Sequence, residues 1–188
     1  MDLEEKQIRK IYVYRGRILN VRNDDAQLSN GKIVSREGVE HIGGGCVLPV
    51  TENGYVIFVK QYRYPYEETI LELPAGKLDP GEEPFPGAVR ELHEETGVVG
   101  DTYYELGADY PSPGYTDEFI HLYAATGLKD VGQKLDEDEF LDVVKIPYEK
   151  ALEMCYSGEL TDSTTLILLL KYKLMEQSGR LTPMEESK

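Results

Sequence analysis

Hydrophobic residues recur along this 188-residue chain at two spacings, and each spacing predicts a type of element. Short runs of β-forming residues, separated by turn residues, predict strands at about 11–14, 17–21, 32–34, 46–50, 55–61, 70–73, 103–106, 119–124 and 141–146. Helical spacing with proline, capping and glycine signals predicts helices at about 86–96, at about 148–156 and, after a Thr161/Asp162 cap, at about 163–176. Strands interleaved with helices predict an α/β fold in which a mixed sheet lies between helices.

The amino-acid composition changes near the glycines at 43–45, and a polar tail begins after about residue 177. Residues 1–42 predict a small antiparallel β meander, residues 43–177 the main domain, and residues 178–188 a polar tail. A meander of this size is too small to be stable by itself. We therefore expect it to pack on the main domain or on a second copy of the chain.

The formal net charge of −15 narrows the range of partners. Strong negative charge argues against nucleic acid or an anionic membrane as a partner, and an anionic substrate would need a cation as intermediary. The apolar runs are shorter than the roughly 18 residues that span a bilayer. The charged first residues predict no secretory signal, so the cytoplasm is expected, with Cys46 and Cys155 reduced.

The helix predicted at 86–96 carries Glu91, Glu94 and Glu95 on one face. Like charges at this spacing repel, and the last two also lie near the negative end of the helix dipole. One interpretation is a solvated acidic face, and the other is a site for a hard cation such as Mg²⁺ or Mn²⁺. Arg90 can pair with Glu94 or with Glu82 and so orient a ligand carboxylate.

Gly76 is followed after five residues by Glu82, and after seven more by the run at 90–98, Arg-Glu-Leu-His-Glu-Glu-Thr-Gly-Val. This pattern resembles the Nudix box at every defined position. The resemblance implies a Nudix fold, an α/β/α sandwich, over about residues 43–175. It implies metal ligands and an orienting pair as well. The implied ligands are Glu91, Glu94, Glu95 and the carbonyl of Ala75, and the implied pair is Glu82 with Arg90.

Nudix enzymes cleave a phosphoanhydride by attack of water on phosphorus, and the resemblance therefore implies this chemistry with Mg²⁺. Three further segments are similar to the ADP-ribose pyrophosphatase subgroup: residues 36–41, 61–65 and 111–114. They favour hydrolysis of ADP-ribose to AMP and ribose 5-phosphate by a homodimer. Two alternatives stay open: a Nudix hydrolase of GDP-mannose or another nucleotide sugar, and a sensor that binds ADP-ribose without cleaving it.

Several residues are expected to contact the substrate. A guanidinium matches phosphate oxygens, so Arg63 is the first candidate for a phosphate contact and Arg36 the second. Backbone at Gly76 can approach a phosphate closely. The other candidates are Pro113, Gly114 and Glu118.

The acidic run at 135–139 is the expected source of the catalytic base. Similar enzymes place a glutamate there, and alignment with the following strand favours Glu139, with Glu137 second. The competing interpretation is a mobile acidic loop without a catalytic role.

Overall fold

The computed structural model describes residues 2–135 and 139–185, which divide into two compact units. The first unit contains the chain up to Gly43 and the segment Tyr110–Phe119. The second contains Gly44–Asp109 and the chain from Ile120 onward. The segment 110–119 thus leaves the second unit between two strands and joins the first.

The first unit is an antiparallel sheet. Its strands are β1 (Lys6–Arg9), β2 (Tyr12–Arg15), β3 (Leu19–Gln27) and β4 (Ile33–His41). The central strand β3 pairs with β4 along its full length, while β1 and β2 follow one another along its other edge. The segment 110–119 adds to β4, where the Val39 N–H donates to the Tyr115 carbonyl at 2.7 Å.

The second unit contains the remaining described elements. Its strands are β5 (Gly44–Pro49), β6 (Tyr55–Arg63), β7 (Glu68–Glu72), β8 (Ala75–Lys77), β9 (Val98–Val99), β10 (Thr102–Asp109), β11 (Ile120–Thr126), β12 (Lys129–Asp130) and β13 (Leu141–Pro147). Its helices are α1 (Pro84–Thr96), α2 (Tyr148–Ser157) and α3 (Ser163–Gln177). One sheet has the order β10-β11-β5-β8 and is mixed, because β11 and β5 run parallel. A second has the order β13-β6-β7, and β9 pairs with β12.

The strands β5, β6 and β11 are buried on both faces, because alternate residues enter two different hydrophobic clusters. In β5, Cys46 and Leu48 pack in the cluster formed with α2 and α3, whereas Val47 packs in the cluster formed with α1. The same alternation occurs in β6 and β11. The sheets therefore lie between α1 on one face and α2 with α3 on the other, and the predicted α/β/α sandwich is confirmed.

Local sequence explains where α1 begins and ends. Pro84 and Pro86 lie in its first turn, where a missing N–H loses no helical hydrogen bond. Gly97 ends it with φ of 73°, a left-handed conformation that glycine adopts without a steric penalty. None of the helices in the described ranges has the length and apolar character needed to span a membrane.

Candidate active site

Arg90 is the centre of a half-buried charged network on the face of α1 that carries the glutamates. Its guanidinium donates to both oxygens of Glu82, at 3.0 and 2.8 Å. Its Nη1 donates to one oxygen of Glu91 and one of Glu94, both at 2.9 Å, and its Nη2 donates to the Lys77 carbonyl. The structure contains both ion pairs that the sequence suggested for Arg90, and a third with Glu91. One cation thus holds three carboxylates in fixed orientations.

Glu82 is fixed from two sides in the loop before α1. Besides the Arg90 pair, one of its oxygens accepts the Asp79 N–H at 2.9 Å. The hydrogen bond from Arg90, together with that from Asp79, lowers the pKa of Glu82 to about 2. Glu82 therefore stays charged and keeps Arg90 in place.

Glu95 is the buried member of the acidic set, with 2% of its surface exposed. Its Oε2 accepts the Ala75 N–H at 2.9 Å, which joins the helix to β8. Burial raises the pKa of Glu95 to about 8, and the negative charges of Glu91 and Glu139 add to this effect. A cation in the site would offset the cost of burying the negative charge of Glu95.

Gly76 leaves room for the carboxylate of Glu91. A Cβ added at Gly76 would overlap the Glu91 carboxyl group, so only glycine allows this close approach. Burial also raises the pKa of Glu91 above its usual value, with further contributions from the charges of Glu94 and Glu139. The β8 backbone and the acidic face of α1 are therefore in direct contact at this point.

The two candidates for the catalytic base differ in what the structure describes. Glu139 lies just before β13, and its charge acts on both Glu91 and Glu95, which places it in the neighbourhood of the acidic face. Glu137 lies outside the described residues. The geometry therefore bears on Glu139 only.

Arg63, expected to contact phosphate, forms a two-pronged ion pair with Glu72. Its Nε lies 3.0 Å from both oxygens of Glu72, and its Nη2 lies 2.5 Å from one of them. Glu72 is 7% exposed, so Arg63 compensates a buried charge. Sequence reasoning missed Glu72, although a carboxylate inside the apolar run 70–73 is a recognisable signal.

Apart from Gly76, the other residues predicted for substrate binding belong to the first unit: Arg36, Pro113, Gly114 and Glu118. Arg36 is exposed and already forms a two-pronged pair with Glu5, at 2.8 Å for both hydrogen bonds. Glu118 lies 3.4 Å from Nδ1 of His41. Pro113 and Gly114 are exposed in a turn closed by hydrogen bonds to the Ser112 carbonyl.

The acidic face has the chemistry, but not the closed arrangement, of a metal site. Within 2–135 and 139–185, no three His, Cys, Asp or Glu side chains are grouped so that they could hold an ion. The hydrogen bonds explain this, because Arg90 holds Glu91 and Glu94 while the Ala75 amide holds Glu95. The donor set nevertheless fits a hard divalent cation, since it consists of oxygen atoms and carries more negative than positive charge.

Comparison with known proteins shows the family of the chain and supports its fold. The profile of the NUDIX domain matches residues 40–163, so the chain belongs to the Nudix family. It is 43% identical over 177 residues to the ADP-ribose pyrophosphatase of Bacillus subtilis (strain 168), covering 93% of this chain and 96% of that protein. It is also 41% identical over 175 residues to the methanol dehydrogenase activator of Bacillus methanolicus, covering 92% and 95%.

A solved structure described as an ADP compounds hydrolase superposes on the chain with a TM-score of 0.82. It covers 96% of this chain and 100% of that one, at 22% sequence identity, and therefore supports the fold. The NUDIX match over residues 40–163 and the relative of 43% identity confirm the family and the enzyme class predicted from the sequence, a Nudix hydrolase.

Proposed function

We propose that this chain hydrolyses the pyrophosphate of ADP-ribose to AMP and ribose 5-phosphate, with Mg²⁺ as the metal and Mn²⁺ as an effective substitute. Its relatives support hydrolysis of a nucleoside diphosphate compound, and Nudix hydrolases generally use divalent metal ions. The single observation that carries the proposal is the Arg90 network, which holds Glu82, Glu91 and Glu94 beside the buried Glu95.

The residues that would hold the cation are Glu91, Glu94, Glu95 and the carbonyl of Ala75. A bound divalent ion stabilises the charge that develops on the pyrophosphate oxygens. The hydrogen bonds described above use one oxygen each of Glu91, Glu94 and Glu95. Glu82 and Arg90 act indirectly, because they fix the direction in which Glu91 and Glu94 point.

Glu139 is the proposed base. It takes a proton from water as the water oxygen bonds to phosphorus, while the anhydride P–O bond breaks and the two phosphate products separate. Its electrostatic effect on Glu91 and Glu95 supports this role. Glu139→Gln is expected to lower kcat by about 10²-fold or more. An equal loss in Glu137→Gln, with Glu139→Gln unaffected, would transfer the role to Glu137.

Arg63 is proposed to contact a substrate phosphate. Glu72 engages its Nε and Nη2, which fixes the guanidinium and leaves Nη1 outside this pair. A guanidinium held in one position loses little further entropy when it binds an anion. Arg36, Pro113, Gly114, Glu118 and the Gly76 backbone remain proposed substrate contacts.

Release of AMP from ADP-ribose, with and without Mg²⁺ and beside GDP-mannose at equal concentration, tests the proposal. Metal-dependent release of AMP, faster than release of GMP, is expected. If GDP-mannose is cleaved faster, the proposed pyrophosphate chemistry stands and the proposed substrate, ADP-ribose, is wrong. This control matters because a relative from Yersinia enterocolitica, 36% identical over 126 residues, is named GDP-mannose pyrophosphatase. Binding of ADP-ribose without turnover under any metal condition would support the sensor alternative.

Variants separate a specific metal site from a general effect of charge. Glu95→Gln is expected to abolish metal-dependent turnover while the chain remains folded. Glu153→Gln, which removes an exposed carboxylate from α2, is the matched control and is expected to retain wild-type activity. Equal activity in both variants would contradict the proposed metal ligands.

We also propose that the chain is a homodimer. The first unit exposes large apolar side chains that water disfavours: Leu3, Ile8, Val13, Tyr14, Ile18, Ile33 and Ile42. A second copy would cover such a surface. Sedimentation is expected to give about twice the mass of one chain, and a monomer at micromolar concentration would contradict the proposal.

A further inference from the structure

The segment from Lys129 to Lys134 runs antiparallel beside the end of α1. Lys129 pairs with Val99 and Asp130 with Val98, which is the β12–β9 ladder. The same register continues past the ladder, because the Val131 N–H donates to the Gly97 carbonyl at 2.8 Å. The segment therefore runs antiparallel to residues 94–99, first beside β9 and then beside the last turn of α1.

The last turn of a helix leaves carbonyl groups without partners inside the helix, and this segment supplies partners for two of them. The Lys134 N–H donates to the Glu94 carbonyl at 3.1 Å. The side-chain amide of Gln133 donates to the Glu95 carbonyl at 2.5 Å. The two glutamates that receive these hydrogen bonds on their backbones are both proposed metal ligands.

Close backbone packing supports the same arrangement. A Cβ added at Gly97 would lie 2.6 Å from the Gln133 backbone nitrogen, so a glycine is required where the two segments of the chain meet. In this register Gln133 stands opposite Glu95, and its side chain makes the hydrogen bond there. Gln133 is therefore the one residue of the Val131–Lys134 contact whose side chain can be altered to remove a hydrogen bond to the helix end.

We propose that Gln133 is a positioning residue, which clamps the segment leading towards Glu139 onto the backbone of Glu95. The inference rests on the proposed function, since it matters for catalysis only where Glu95 and Glu139 act together on the substrate. The clamp anchors residues 131–134 to the helix that carries the proposed metal ligands, and so limits the spacing between that helix and Glu139, five residues after Lys134. Small errors in such spacing reduce rates strongly, by up to about 10²-fold for 1 Å.

Four proteins test the clamp: the wild type, Gln133→Met, Gln133→Lys and Lys134→Ala. Methionine keeps the length of glutamine and removes the donor, while lysine restores an N–H donor. Lys134→Ala is the matched control, because the bond at that position comes from the backbone. At saturating Mg²⁺, Gln133→Met is expected to lower kcat about tenfold with KM nearly unchanged. Gln133→Lys is expected to recover most of the loss, and Lys134→Ala to match the wild type.

Hydrogen exchange gives a readout that does not depend on activity. The amides of Val131 and Lys134 are expected to exchange faster in Gln133→Met than in Lys134→Ala, while amides in β10 and β11 keep their rates. Unchanged exchange, or a kcat equal to that of Lys134→Ala, would overturn the inference. If the amides exchange faster in Gln133→Met as expected, but the wild type cleaves no nucleoside diphosphate compound, the contact stands and the proposed function is refuted.

Discussion

Glu95→Gln replaces a buried carboxylate by a neutral amide of the same size, and its effect on stability should depend on pH. The amide oxygen can still accept the Ala75 N–H, so the main change is the loss of a titratable group. In the folded chain the pKa of Glu95 is raised to about 8, because the group is buried and faces the charges of Glu91 and Glu139. The ordinary value for the unfolded chain is 4.5.

The direction and the size of the effect follow from these two values. Between pH 4.5 and about 8 the folded wild type keeps a proton that the unfolded chain releases, so the free energy of unfolding falls as pH rises through this window. The full difference corresponds to about 5 kcal/mol, or about 1.4 kcal/mol for each pH unit, as an upper limit. Glu95→Gln has no group that titrates at this position, so its free energy of unfolding does not fall in this way. It should become more stable than the wild type towards pH 8.

Urea unfolding in EDTA at pH 5.5 and pH 8.5 measures the effect, with Glu153→Gln as an exposed control. The stability difference between Glu95→Gln and the wild type is expected to grow by at least 1 kcal/mol between the two pH values. Millimolar Mg²⁺ should then stabilise the wild type more than Glu95→Gln, because the ion binds only the folded site. A difference that is the same at both pH values would refute the reasoning about Glu95.

Three other substitutions have defined outcomes. Gly76→Ala places a methyl group against the Glu91 carboxylate and should lower kcat by about 10²-fold with unchanged circular dichroism; wild-type rates would contradict the close approach. Glu67 has a positive φ of 55°, so Glu67→Gly should raise the free energy of unfolding in urea by about 0.5 kcal/mol, whereas a decrease would argue against strain. Arg63→Met leaves the buried Glu72 unpaired and should destabilise the chain by about 3–5 kcal/mol in thermal or urea unfolding, and adding Glu72→Gln should recover part of the loss.

The fold was largely predictable, because its elements are encoded by local patterns. The prolines and Gly97 mark the two ends of α1, and the observed helix begins two residues before the predicted start. The Asp162 side chain accepts the Thr165 N–H at 2.8 Å, as expected for the capping residue of α3. Each of these signals involves only a few neighbouring residues and can therefore be recognised in a single sequence.

Features that depend on distant parts of the chain were not predictable. The Arg63–Glu72 pair joins β6 and β7, but in their register Arg63 stands opposite Glu68 and Glu72 opposite Val59, so the contact depends on how the two side chains extend along the strand pair. The spacing of the acidic residues on α1 placed them on one face, but burial of Glu95 requires β8 to lie beside it. Long-range pairing leaves no local pattern that could reveal these contacts in advance.

The joining of Tyr110–Phe119 to the first unit has a consequence for synthesis on the ribosome. The His41 N–H donates to Asp117, a contact that spans 76 positions in the sequence. At about 5–20 residues per second, β4 is made roughly 4–15 seconds before this partner. One edge of a new sheet thus waits without its final neighbour, and exposed edges attract other chains. Nascent molecules on crowded polysomes would be most vulnerable to aggregation during this interval.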